Sequence, residues 1–218
     1  SAGSESAITW DSLGRHGAAF VGGGPTVTEI TELTGQQAIE PIRVYAGLES
    51  APTLAERAQL VVDELERTGA ISRSVLVVAT TTGSGWLEPQ TVDAIEYLHG
   101  GDTAIAAMQY AYTPSWVSFV FDPDAPVEAA RVLFDAVEKK VDSLPADDRP
   151  LLVSYGLSLG AHGSQSVFAD LADLRARTDA ALFVGSPNGS QLWRTLQSTR
   201  DAGSPAWQPV LEEGREVR

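Results

Sequence analysis

Five stretches of the chain are almost continuously apolar and rich in β-branched or small residues: Pro41–Leu48 (PIRVYAGL), Ser74–Thr81 (SVLVVATT), Thr103–Tyr112 (TAIAAMQYAY), Pro150–Tyr155 (PLLVSY) and Ala180–Ser186 (AALFVGS). Runs of this kind predict strands buried on both faces. Between them the apolar residues recur at helical spacing. Thr53-Leu-Ala-Glu56 is an S/T-x-x-E capping box that opens a helix reaching about Thr68. A second helix follows Pro89, carries Val92, Ile95, Tyr97 and Leu98, and stops at Gly100-Gly101. Others are predicted over Ala125–Leu144, from Gly160 to about Leu174, and near Ser190–Thr199. Strand and helix alternate with short connections, so the expected fold class is α/β: a mostly parallel sheet with helices on both faces. Residues 1–40, with Gly22-Gly23-Gly24-Pro25 and little periodicity, read as an irregular leading segment; residues 41–218 read as the α/β core.

Composition narrows the function classes. With 15 basic against 29 acidic residues the net charge is −14, and the basic residues are scattered, which argues against a nucleic-acid partner. There is no cysteine, so disulfides, thiolate metal sites and a cysteine nucleophile are excluded. No two of the three histidines have ligand spacing, and no metal or other cofactor is expected. The Gly22–Gly24 triplet lacks the Lys-Ser/Thr of a phosphate loop.

Candidate chemistry lies after the fourth strand. Gly156-Leu157-Ser158-Leu159-Gly160 matches G-x-S-x-G, the nucleophile elbow, between a predicted strand and a predicted helix. The glycines flank a serine held in a strained turn, where larger neighbours would collide. Ser158 is therefore the candidate nucleophile and the backbone N–H of Leu159 one oxyanion donor. The loop after the second strand, Thr80-Thr-Thr-Gly-Ser-Gly-Trp86, falls where a second donor belongs, with Thr82 and Gly83 the candidates. Ser84, Trp86, Ser186 and Asn188 are candidate pocket-lining residues, although turn and capping roles account for Ser186 and Asn188 equally well.

The histidines fit such a site poorly. His162 sits four residues after Ser158 on the same helix, His16 in the leading segment, and His99 at a helix end. In the usual hydrolase chain order the carboxylate and the base follow the serine on later strands. Strand counting leaves no room for them here, and the sheet reads as lacking its last strands.

The chain resembles the hydrolase domain of the bacterial α/β-hydrolase family 9 membrane proteins, common in actinobacteria. The resemblance rests on PIRVYAGLESAPTLAERAQLVVDELERTGA, TTTGSGWLEPQTVDAIEYLHGGDTAIAAMQYAYTPSW, GLSLGAHG, SPNGSQLW and RDAGSP. Where the family elbow usually has Glu, this chain has Leu157. The resemblance implies a serine hydrolase of esterase or lipase type acting on an ester-containing small molecule or lipid. It implies a triad Asp and His beyond residue 218, in a segment that continues the same polypeptide, is cleaved into a second chain, or is deleted. It further implies a membrane-associated full-length protein whose hydrolase part is a soluble module in an envelope setting. The same apparatus would serve an acyltransferase, and a non-catalytic binding domain is the reading from another class.

Overall fold

The structure, a computed structural model, describes residues 1–112, 124–215 and 217. Its centre is a five-stranded, wholly parallel sheet of β1 (Ile42–Ala46), β2 (Val75–Thr80), β3 (Thr103–Met108), β4 (Leu151–Leu157) and β5 (Ala180–Val184), in the order β1-β3-β2-β4-β5. Every predicted strand is present. β2 and β3 are buried at all of their positions, as their uninterrupted apolar runs require.

The strand order decides where the helices go. Right-handed crossovers place forward and backward steps along the sheet on opposite faces. The connections β1 to β2, β3 to β4 and β4 to β5 run forward. They carry α3 (Leu54–Arg67), α5 (Ala125–Asp142), α6 (Leu159–Ser166) and α7 (Leu171–Arg177), and α5 packs against both α3 and α6. The one backward step, β2 to β3, carries α4 (Pro89–Leu98) on the other face. Following β5, α8 (Gln191–Thr199) packs against α6.

Two expectations need correction. The leading segment is not irregular: it forms α1 (Gly14–Val21) and α2 (Val27–Thr34), which cover the face that carries α4. Thr26 and Glu29 cap α2 reciprocally, Glu29 N–H donating to Thr26 Oγ1 and Thr26 N–H to the Glu29 carboxylate. α1 has no side-chain cap and is held instead by packing, its Gly17 pressed so closely on the Tyr45 ring that a Cβ there would lie 2.4 Å from Cδ1. The helix expected over Gly160–Leu174 is broken at Val167–Asp170, where the Asp170 side chain accepts from Asp173 N–H and starts α7 afresh.

The two sheet edges differ. β1 is buried from Val44 onward, whereas β5 is mostly exposed, with Leu182 and Val184 open to solvent.

Candidate active site

Ser158 stands at the junction of β4 and α6 with φ 55° and ψ −116°, a conformation that L-residues rarely adopt. Its N–H donates to Val184 O on β5 at 2.8 Å, and its carbonyl receives the first helical bond of α6 from His162 N–H at 3.1 Å. The side chain is exposed and caps nothing. The two flanking glycines are demanded by contact: a Cβ on Gly156 would lie 2.3 Å from Gly160 O, and one on Gly160 would lie 2.3 Å from Thr80 O. The turn thus folds on itself and presses directly onto β2. Ser164, one turn further along α6, donates to the Thr80 hydroxyl and lies 2.9 Å from Tyr155 O, tying the helix to both strands. Leu159 begins α6, where an N–H has no partner within the helix and the helix end is positive.

The Thr80–Trp86 loop lies beside the elbow, because β2 pairs with β4 and Thr80 is level with Gly156. Among the hydrogen bonds that shape it are Thr82 N–H to Trp86 O, Gly85 N–H to Thr82 O, Tyr45 O–H to Gly85 O, and Gln109 Nε2 to Ser84 O. Thr82 consequently uses its N–H inside its own turn and is withdrawn as an oxyanion donor. Gly83 is buried within the same loop. Ser84 is half-buried, its carbonyl held by Gln109. Trp86 turns to the α1–α4 face and lines a small cavity of about 100 Å³ with His16, Phe20, Arg43 and Val92. That cavity does not include Ser158.

The histidines remain apart from the nucleophile. His162 Nδ1 is 3.0 Å from Ser190 Oγ. Burial lowers the pKa of His162 from the ordinary value, with Asp124 opposing the shift. His16 on α1 is lowered by burial and by Arg15. His99 is exposed at the end of α4. Among the described residues no histidine hydrogen-bonds to the Ser158 hydroxyl, and no group of His, Asp and Glu is placed to hold a metal. Asp102 and Asp201 are occupied locally, the first by Ser74 and the second by the N–H groups of Glu212 and Glu213.

Ser186 and Asn188 line an open groove of about 790 Å³ along β5, together with Phe183, Trp193, Trp207 and Gln165. Gln165 Nε2 donates to Ser186 Oγ at 2.5 Å, while its buried Oε1 has no partner among the described residues. The roles of Gln109 and Gln165 could not be read from sequence, since each depends on a loop brought near by the sheet order.

A family model described as alpha/beta-hydrolase family matches residues 42–218, which is most of the chain and all five strands. No curated protein and no solved structure matches it. Among the described residues no helix is long and apolar enough to cross a membrane.

Proposed function

Because the chain belongs to the α/β-hydrolase family, we propose that it is a serine hydrolase of esterase or lipase type with Ser158 as its nucleophile. The observation that carries this reading is the backbone of Ser158. An exposed serine is held at φ 55°, ψ −116° on a turn whose two flanking glycines have no room for a Cβ. Strain of this kind persists only where its surroundings impose it.

In the proposed reaction Ser158 Oγ attacks the ester carbonyl carbon as a histidine base takes its proton. The carbonyl oxygen becomes an oxyanion facing the N–H of Leu159, with Gly83 on the adjoining loop as second donor. The tetrahedral intermediate collapses, the alcohol leaves with the proton from the imidazolium, and water hydrolyses the acyl-serine by the same steps. His162 is tied to Ser190 and is not assigned as the base. We place the base and its carboxylate on polypeptide outside residues 1–218, of the same or a second chain, seated along the open edge of β5. The exposed strand and the groove beside it support that placement. An ester-containing lipid is the favoured substrate class if the full-length protein is membrane-associated.

The test is intact mass after treatment of the full-length protein with a fluorophosphonate. One adduct, absent in Ser158→Ala, is expected. Failure to label, or labelling that survives Ser158→Ala, would overturn the assignment.

A further inference from the structure

The chain treats its poorly exposed arginines in two ways. Arg43 is met by Asp93 and Glu96 at 2.6 and 2.7 Å, and Arg177 by Asp135 and Glu138 at 2.7 and 2.6 Å. Among the described residues Arg57, only 6% exposed, finds no ion-pair partner, and its Nε, sealed from solvent, has no acceptor. A buried guanidinium without a counter-charge is costly, and buried donors are normally satisfied. The chain has 29 acidic residues against 15 basic ones, so a shortage of carboxylates does not explain the vacancy.

The nearby acids are committed elsewhere. Glu56 closes the capping box of α3 with Thr53, and Glu49 accepts from the Tyr112 hydroxyl. Arg57 lies in the first turn of α3, beyond the carboxyl end of β1, within electrostatic reach of the Tyr112 and Tyr45 hydroxyls. Tyr45 in turn bonds Gly85 of the loop beside the elbow. Arg57 therefore belongs to the same end of the sheet as Ser158. Nε is sealed, and the Nη nitrogens likewise form no hydrogen bond or ion pair with the described residues, which leaves them as the donors for a ligand.

We propose that Arg57 is a binding residue for an anionic group, a carboxylate or a phosphate, and that the esters taken by this site carry such a group. Guanidinium and either anion match as planar or forked partners. β1 and β4 are separated by β3 and β2, so at about 4.8 Å per strand the two strands lie on the order of 14 Å apart, and an ester reaching both sites would be an extended one. The substrate part of this inference rests on the esterase reading; the existence of the anion site does not.

The experiment follows the Nε–Hε resonance of Arg57 by ¹⁵N NMR, which its sealed environment should keep resolved. Assignment is by its loss in Arg57→Lys. Inorganic phosphate and acetate are titrated separately into the wild type and into Ser158→Ala. A saturable shift with either anion, unchanged in Ser158→Ala, supports the site, and the anion that saturates at lower concentration names the group. Other resonances around the site, chiefly those of Tyr112 and Tyr45, should follow the same titration and need at least tenfold more anion in Arg57→Met. No saturable shift with either anion, or equal binding by folded Arg57→Met, would overturn it. Because the readout is binding, a failure of Ser158 to label with fluorophosphonate would leave this result standing.

Discussion

The strain at Ser158 can be weighed by comparing two substitutions that both remove the hydroxyl. Ser158→Ala keeps a Cβ at φ 55°, ψ −116°, whereas Ser158→Gly removes it. Ordinarily glycine is the less stable choice, because the unfolded chain gains freedom worth about 0.7 kcal/mol. Here relief of the strained conformation is worth about 2 kcal/mol. The balance favours glycine by about 1 kcal/mol, or ~3 °C in Tm for a chain of this size. The comparison is clean: the serine side chain is exposed and makes no capping bond, so neither variant opens a cavity or loses a cap. Urea unfolding of the two variants, with equal m-values, measures the difference. Ser158→Ala as stable as Ser158→Gly, or more so, would mean that the backbone is not strained by its side chain, and the principal support for a nucleophile elbow would be gone.

Three further outcomes follow from the packing. Gly160→Ala would place a methyl group 2.3 Å from Thr80 O, backbone that cannot easily retreat, and should cost about 3 kcal/mol in urea unfolding; a loss below about 1 kcal/mol would contradict the close approach. Glu96→Gln leaves the buried Arg43 with a weakened set of partners and should cost about 3 kcal/mol, with most of the loss recovered in Arg43→Met/Glu96→Met; an unchanged urea midpoint for Glu96→Gln would refute this. Glu88 caps α4. Although burial opposes it, the Thr91 hydroxyl and the N–H groups of Thr91 and Gln90 hold its carboxyl below the usual range. A depressed folded pKa stabilises above the unfolded value and is lost as pH falls through the folded one. Glu88→Ala should therefore lower the urea midpoint at pH 7 and lower it less near pH 3; equal losses at both would show that the carboxylate is not what caps the helix.

What the sequence made legible follows from which constraints are local. The strands could be read because burial on both faces leaves little but Val, Leu, Ile and Ala, as in Val75–Thr80. The elbow could be read because its steric demand falls on Gly156 and Gly160, neighbours in the chain. The box at Thr53 and Glu56 was legible for the same reason, and the equivalent signal at Thr26 and Glu29 was present but obscured by the glycine triplet before it. Asp170 likewise carried a start signal for α7 inside what looked like one long amphipathic run. By contrast, α1 depends on the Tyr45 ring of β1, packed directly against it but distant in the chain, and no local pattern reports that. The loss of Thr82 as a donor depends on a turn closing back to Trp86, and the seating of Trp86 among His16 and Phe20 depends on a helix that was not expected.

The contacts that hold the elbow are almost entirely main-chain. Gly156 meets Gly160 O, Gly160 meets Thr80 O, and Gly163 meets Pro126 O, the last within 2.6 Å of an added Cβ. Such an arrangement divides the neighbourhood into positions that can drift and positions that cannot. Side chains at the intervening sites, Leu157 among them, are not what keeps the serine in place. Leu159 and Ala161 are buried and must stay apolar, whereas the half-buried Leu157 can be exchanged for a polar residue at a modest cost in packing. A lineage carrying this turn is thus free to retune the surface around its nucleophile while the nucleophile's own geometry stays inherited.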